Sequence, residues 1–504
     1  MCCYYRGGAY FMQFLVQNNL EKRGTPIHVV YFFLFFFVYF IVNVTLFSRS
    51  GPHWDEILDW QGGATDTYLV AGRWGTYLYR VILGQGAMPW FAGIMAGVYT
   101  SAAIVLQAKL LKLTVPALGV LYAGLYVACN QWQSQLVYSF QCDSVALGLL
   151  FATLSVFVLV NKGRCLLSAV FLTLSLSSYQ TNGIYWFVLF VSVILMQNVI
   201  QKRTIINAGV VAVVGMLFYF SVQKICMAVA PISSETVAYV QGYQKTTSNW
   251  QHMPNYPLSL QLLGIAHYFK RAVLHALGCG ESFSLAASTA IIPAVLLIFR
   301  YVRREIQNLE KIVRVILVIA VWFAPYALTF VMLGFLGDRV ALAAPVSLAS
   351  LWLLWLRECS LSPKLISVIG VAVFVLLVNA GYNNCVKSRN GNRIHELAVR
   401  QLFDMYGHAR RTAHDNKMDD FQIVLAFDNS CTVQPEESMF PRYLTDGVLD
   451  WYTEHYKLHG MRIARDEEMS EYRESLRALP FWPDLRSMVI RKDKIVIRIP
   501  MVAR

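Results

Sequence analysis

Charged residues are scarce: 14% of the 504 residues carry a charge, against about 25% in soluble domains. That deficit excludes a single soluble globule as the whole architecture. The ten cysteines show no CxxC pair and no Cys/His ligand spacing, which excludes a zinc module or a thioredoxin-like redox site. Walker-type and dinucleotide glycine patterns are absent, and with them the common nucleotide-binding folds. No convincing internal repeat occurs, which argues against the repeat-built secondary transporters. Cys2 and Cys3 read as ordinary N-terminal residues rather than a lipidation site. Cys385 and Cys431 are candidates to pair only if their part of the chain faces an oxidising compartment.

Apolar residues fill the space that charge leaves, at 56% of the chain. The run "VVYFFLFFFVYFIVNVTLF" (Val29 to Phe47) approaches the roughly 20 residues that span a bilayer as a helix. No small-residue cleavage pattern follows it, so it reads as a retained span rather than a signal peptide. Similar runs predict eleven spans, near 28–47, 87–107, 114–131, 141–160, 165–180, 183–200, 205–229, 284–300, 313–335, 340–356 and 364–381. The chain therefore reads as a polytopic α-helical membrane protein, with the bilayer as its first partner.

The formal net charge of +13 suggests nucleic acid until its distribution is considered. Residues 382–504 hold 19 basic and 18 acidic residues, so the excess lies in residues 1–381, with 24 basic and 12 acidic. A basic excess inside a membrane region is an orientation signal; no nucleic-acid partner is implied. With the N-terminus in the cytoplasm, "KLLKL", "NKGR", "QKR", "RYVRREIQNLEKIVR" and "RECSLSPK" all fall on the inner side, as the positive-inside rule requires. An odd number of spans then places residues 382–504 outside. These read as a small α/β domain. "RIHELAVRQLFDMY" is a helix with Ile394, Leu397, Val399, Leu402 and Phe403 as its apolar side. "FQIVLAF" is a strand, and "SMVIRKDKIVIRIP" is a hairpin through Lys492-Asp493. The spans, residues 1–381, carry two sizeable outer segments, 48–86 and 231–283.

Acids distribute in the opposite sense to bases. Eight of the twelve in residues 1–381 fall at the outer face: Asp55, Glu56, Asp59, Asp66, Asp143, Glu235, Glu281 and Asp338. Three of them crowd into "HWDEILDW". If that stretch is helical, Asp55 and Asp59 share a face at i,i+4 with Glu56 beside them. Trp54 and Trp60 bracket them and place them in the interfacial zone. A carboxylate there tends to have a raised pKa, which suits a general base. "AGRWGTYLYR" adds Arg73 and Arg80, two helical turns apart, so both guanidiniums could line one stripe. Arginine suits bidentate recognition of phosphate, although interfacial snorkelling would equally explain Arg80. Asp143 opens an apolar run, either as a helix-start acid or at the edge of a membrane cavity. "SSYQTNG" offers Tyr179, Gln180 and Asn182 to a sugar, or is a tight turn. "LGDRVALAAP" sets Asp338 and Arg339 at the outer ends of two spans. No complete metal-ligand set is visible, so no metal is expected, although a divalent ion joining the acids is left open. A catalytic face outside the cytoplasm has no nucleotide supply, so an activated donor must arrive there on a lipid.

Taken in order, these pieces resemble the phage-type, serotype-converting O-antigen glucosyltransferases, the glucosyltransferase II family of bacterial inner-membrane proteins. The matching motifs are "WDE" after the first span, "GRW" (Gly72 to Trp74), "FQCDSVALGLLF", "LSLSSYQTNGIYWF", "GDRVALAAPVSL", "NRIHELAVRQLF" and "LPFWPDLRSMVIRKDKIVIRI". The family more often carries two aspartates after the first span; Asp55-Glu56 stands here, so which of the two is the base is open. The resemblance implies a GT-C-like fold with undecaprenyl-phosphate-glucose as donor substrate and no cofactor. It further implies transfer of glucose to a sugar of the lipopolysaccharide O-antigen, on the polysaccharide or a lipid-linked O-unit, at the periplasmic face of the inner membrane. On that reading Asp55 or Glu56 is the base. Arg73 and Arg339 hold the phosphate, and Asp59, Trp74, Arg80, Asp143, Tyr179, Gln180 and Asp338 line the substrates. A flippase and a donor-synthesising glycosyltransferase would then be functional partners. A lipid-linked-sugar transporter and a GT-C enzyme with another sugar or acceptor are the alternatives.

Overall fold

A computed structural model of the chain describes residues 27–47, 64–83, 89–113, 116–138, 141–197, 200–234, 236–238, 240, 257–279, 284–304, 308–332, 340–359, 363–433, 449, 452–453 and 456–502. The chain divides into two compact units, the first reaching Cys385 and the second running Val386–Arg504.

In the first unit, helix α1 (Ile27–Phe47) is followed by two short helices, α2 (Ala64–Val70) and α3 (Trp74–Leu83). Then come α4 (Pro89–Leu110), α5 (Pro116–Val127), the short α6 (Asn130–Leu136), α7 (Cys142–Lys162), α8 (Cys165–Ser178), α9 (Asn182–Leu195) and α10 (Lys202–Val229). The remaining helices are α11 (Leu258–Ala276), α12 (Ile291–Arg303), α13 (Asn308–Val331), α14 (Ala344–Glu358) and α15 (Pro363–Asp415). Each of the eleven apolar runs falls on a helix. Among the described residues seven stretches are long and apolar enough to cross a membrane: Val29–Phe47, Trp90–Leu110, Cys142–Lys162, Lys202–Val229, Leu285–Arg303, Asn308–Val331 and Val368–Arg389. Ala117–Val127, Cys165–Ser178 and Asn182–Leu195 are apolar but shorter, and α14 has 15 residues. Fifteen residues of helix rise about 22 Å, less than the roughly 30 Å hydrocarbon core. The shorter helices are sheathed by protein: α9 and α14 are buried along most of their length.

The first helix is apolar all round, so packing rather than amphipathicity selects its inner side. Tyr31, Phe35, Tyr39, Val42 and Leu46 are buried, whereas Phe33, Phe37 and Ile41 are exposed. Glycines on α4 let α1 approach: a Cβ at Gly93 would strike the Phe47 ring, and one at Gly97 would lie 2.6 Å from Tyr39 Cε1. This is the small-residue packing that helices use where lipid provides no hydrophobic drive. A buried polar pair adds to it, with Asn384 Nδ2 of α15 donating to Val42 O at 2.8 Å and Asn43 Oδ1 at 3.1 Å. The segment 231–283, expected outside the bilayer, is less uniformly polar among its described residues than its composition suggests. Its second half is α11, whose Phe269 ring packs against Phe323 and Phe330 of α13.

The second unit is a four-stranded sheet with a helix on each face. Strands β1 (Gln422–Val433), β2 (Met461–Ile463), β3 (Met488–Arg491) and β4 (Lys494–Val502) take the order β2-β1-β4-β3. The first two pairings are parallel and β3–β4 is the antiparallel hairpin. Strand periodicity sorts the side chains. Ile423, Leu425, Ile495, Ile497 and Ile499 pack with the last turns of α15, and Val424, Ala426 and Val496 pack with α16 (Asp466–Arg477). The apolar side of α15 differs from the one its large residues suggested. Ala398, Leu402, Met405, Ala409 and Ala413 face the sheet, while Leu397 and Phe403 are exposed. Alanines let the helix settle closer to the strands, which outweighs burying a phenylalanine on the neighbouring stripe. Cys385 carries a free thiol.

Candidate functional site

The site is built around the turn between α2 and α3. Gly72 takes φ +81°, a left-handed conformation that glycine adopts without steric cost. Arg73 N–H donates to Tyr68 O at 2.7 Å, and Tyr77 N–H donates to Arg73 O at 3.0 Å, so Arg73 stands at the head of α3. Carbonyls of the turn also accept from side chains elsewhere in the chain. Tyr219 Oη of α10 donates to Gly72 O at 2.8 Å, Gln180 Nε2 to Ala71 O at 2.6 Å, and Gln223 Nε2 to Leu69 O at 2.6 Å. Gln180 also donates to Tyr219 Oη at 3.1 Å. A helix end left inside a protein needs such partners, and three of them fix where Arg73 sits.

From there α3 lies across the start of α7 and the end of α8. A Cβ on Gly75 would collide with Ser177 Oγ, so glycine permits this approach. Thr76 Oγ1 donates to Ser178 O at 2.9 Å and lies 3.1 Å from Ser144 Oγ. The two arginines then meet different partners. Arg80 is buried against a fully buried Asp143, with Nη1 donating to Oδ2 at 3.2 Å and Nη2 paired to Oδ1. Ser144 N–H donates to Asp143 Oδ1 at 2.8 Å. Arg73 Nη1 donates to the neutral Gln141 Oε1 at 2.8 Å, and its guanidinium lies over the Tyr179 ring, 4.3 Å from the centroid. Its Nε is buried with no hydrogen-bond partner, as is the indole Nε1 of Trp74 beside it, among the described residues. Arg80 is thus neutralised, while Arg73 faces no carboxylate among the described residues.

The structure therefore brings together six of the residues singled out from sequence: Arg73, Trp74, Arg80, Asp143, Tyr179 and Gln180. It places Arg80 and Asp143 on each other rather than as two separate ligand contacts, and it occupies the Gln180 amide with the α2–α3 turn and Tyr219. Asp55, Glu56, Asp59, Asp338 and Arg339 lie outside the described residues. Among the described residues no group of three or more His, Cys, Asp or Glu could hold a metal ion.

Several partners escaped the sequence reading. Gln141, Tyr219 and Gln223 hold the arginine and its turn from distant parts of the chain, and no local pattern marks them. The glutamines of "NQWQSQL" do carry a signal, since polar groups at membrane depth are costly and tend to be functional. Gln131 and Gln135 stand one turn apart on α6, both fully buried. Neither amide atom of Gln135, nor Gln131 Nε2, is hydrogen-bonded among the described residues.

No curated protein and no solved structure matches the chain. A family model described as Glucosyl transferase GtrII matches residues 45–356, a stretch that holds both arginines, Asp143 and the Tyr179-Gln180 turn. The match covers well over half of the sequence, and the chain belongs to the GtrII glucosyl transferase family.

Proposed function

We propose that the protein transfers glucose from undecaprenyl-phosphate-glucose to a sugar of the lipopolysaccharide O-antigen at the periplasmic face of the bacterial inner membrane. The observation that carries this reading is the contrast between the two arginines. A part-buried guanidinium whose Nε is buried without a partner, and which meets only neutral groups among the described residues, favours an added anion. A lipid phosphate is the anion that a membrane-facing glucosyltransferase meets. Arg73 would receive that phosphate, with Arg339 as a second cation. The Arg80–Asp143 pair would pin α3 to α7 and so aim Arg73.

In the reaction, Asp55 or Glu56 takes the proton from the acceptor hydroxyl. The hydroxyl oxygen forms a bond to the anomeric carbon as the bond from that carbon to the phosphate oxygen breaks, with inversion. The electron pair leaves on undecaprenyl phosphate, whose charge needs electrostatic stabilisation rather than protonation. Asp59 and Trp74 contact the sugars. The N-terminus is cytoplasmic, and the second unit lies in the periplasm, where it positions the polysaccharide. A flippase supplying the donor and the enzyme that makes it are the functional partners.

The test is glucose incorporation by purified protein in liposomes supplied with the lipid-linked donor and unmodified acceptor. Arg73→Gln should remove a charge-assisted contact to the phosphate and lower turnover by about 10²-fold or more. Asp55→Asn and Glu56→Gln, made separately, identify the base; full activity in both would discard the base assignment. Movement of the lipid-linked sugar across the bilayer without transfer would instead favour a transporter.

A further inference from the structure

We infer that the second unit carries its own carbohydrate-binding groove, beyond the family-matched region, that grips the acceptor polysaccharide away from the reaction centre. The inference rests on the glucosyl-transfer reading for the identity of its ligand.

The groove has a volume of about 320 Å³ and runs along the solvent side of α15, within the range of small-molecule sites, about 300–1,000 Å³. Its α15 wall is formed by Gln401, Asp404, Gly407 and Arg411. Their spacings of three and four put them on one helix face. Trp482 closes one side, with its indole N–H donating to Gln401 Oε1 at 2.6 Å. That wall is fixed from behind: Trp482 N–H donates to Arg498 O at 2.9 Å. The Arg498 guanidinium donates to Arg477 O and Leu479 O and lies over the Phe481 ring, 3.9 Å from its centroid.

Three observations point to a sugar. Phe403, 46% exposed, offers an aromatic face at the rim, and its ring is held by an edge contact to Tyr456 at 5.8 Å. Apolar ring faces of a pyranose stack on such a surface. Asp404 and Arg411 are exposed, and neither is in an ion pair with a described residue. Groups of opposite sign in one groove, two helical turns apart, disfavour a purely anionic or purely cationic ligand, while both planar groups can engage hydroxyls of neighbouring sugars bidentately. Finally, Gly407 sits inside the helix, where glycine weakens it, yet nothing lies within 4 Å of where its Cβ would be. Packing does not ask for glycine there; the missing side chain keeps the groove floor open.

The test measures equilibrium binding of lipid-free, unmodified O-polysaccharide to the full-length protein in nanodiscs, beside transfer activity on a single repeat unit and on the polysaccharide. Gly407→Leu fills the groove with a better helix former, and Asp404→Asn with Arg411→Gln removes its charges from an exposed surface. Each should weaken polysaccharide binding about tenfold or more, as expected for lost hydrogen bonds to charged groups. Each should raise KM for the polysaccharide while kcat and the KM for the single repeat unit stay unchanged. Arg73→Gln should bind the polysaccharide like the wild type. Binding that is undetectable in the wild type, or equal in wild type and both groove variants, overturns the inference. Absence of transfer by the wild-type protein, with its groove-dependent binding intact, overturns the glucosyl-transfer reading instead, and leaves a polysaccharide-binding groove standing. If Gly407→Leu does not fold, the Asp404→Asn, Arg411→Gln protein decides.

Discussion

At the scale of single residues, Arg73 and Arg80 look alike in sequence and separate only through partners far along the chain. Asp143 lies 63 residues beyond Arg80, and Gln141 lies 68 beyond Arg73. Removing one member of a buried ion pair strands the other's charge, at about 3–5 kcal/mol. Arg80→Ala should therefore lower the melting temperature or the yield of folded protein sharply, and activity with it. The double change Arg80→Met, Asp143→Leu removes both charges and should restore folding, because apolar replacement of a buried pair is often neutral or stabilising. Arg73→Gln should leave thermal stability near that of the wild type and affect transfer alone. A stability loss of the same size at both arginines, read by thermal unfolding in detergent, would erase the distinction between anchor and ligand.

Elements show why the site is rigid where it needs to be. The α2–α3 turn is held by α10 and by the α8–α9 turn, and Gly72 is the point where these meet. A Cβ there would sit 2.7 Å from Gln180 Nε2, collide with Tyr219 Oη, and require a left-handed backbone for a residue with a side chain. Gly72→Ala should cost about 1–3 kcal/mol and displace Arg73. Transfer should fall further than membrane insertion, which the long helices set, and comparing insertion with turnover checks this. In the second unit, Glu468 of α16 joins three elements. Arg462 of β2 donates to both of its oxygens at 2.6 Å, and Lys494 of β4 donates at 2.9 Å. The Arg462 bonds, with Lys494 and the Arg465 N–H, hold its carboxyl well below the usual glutamate range despite partial burial. A depressed folded-state pKa stabilises above the unfolded value, about 4.3 for glutamate, and that stabilisation is lost as pH falls through the folded value. Amide-exchange protection in β1 and β4 should therefore weaken as pH drops below about 4. Glu468→Gln should flatten that dependence and lower protection at neutral pH.

On the scale of the whole molecule, the parts governed by hydropathy were readable and those governed by packing were not. Every apolar run became a helix because burying or lipid-solvating such a run demands it. Four of those helices are shorter than a span because neighbouring protein covers them, a fact no local window contains. The hairpin through Lys492-Asp493 was readable from its alternation, whereas Phe403 was misplaced because two adjacent stripes of α15 are both compatible with a helical period. Within the site, arginine and aspartate were visible as residue types, but their pairing was set by where α3 crosses α7. The orientation is the remaining inference from charge, and it makes the most demanding prediction. If all eleven helices traverse, the turn at Gly163 between α7 and α8 faces the cytoplasm and the second unit faces the periplasm. An alkaline phosphatase reporter joined after Arg504 should then be active, and one inserted at Gly163 inactive. Among the described residues seven stretches are long and apolar enough to cross a membrane; if the short helices turned back within the bilayer, counting from a cytoplasmic N-terminus would change the side of the reporters beyond them. Each extra reporter, in the α9–α10 and α12–α13 connections, should stay inactive. An active reporter at either would place that basic loop outside, against the charge rule that orients the chain, and would show that a short helix before it turns back within the bilayer.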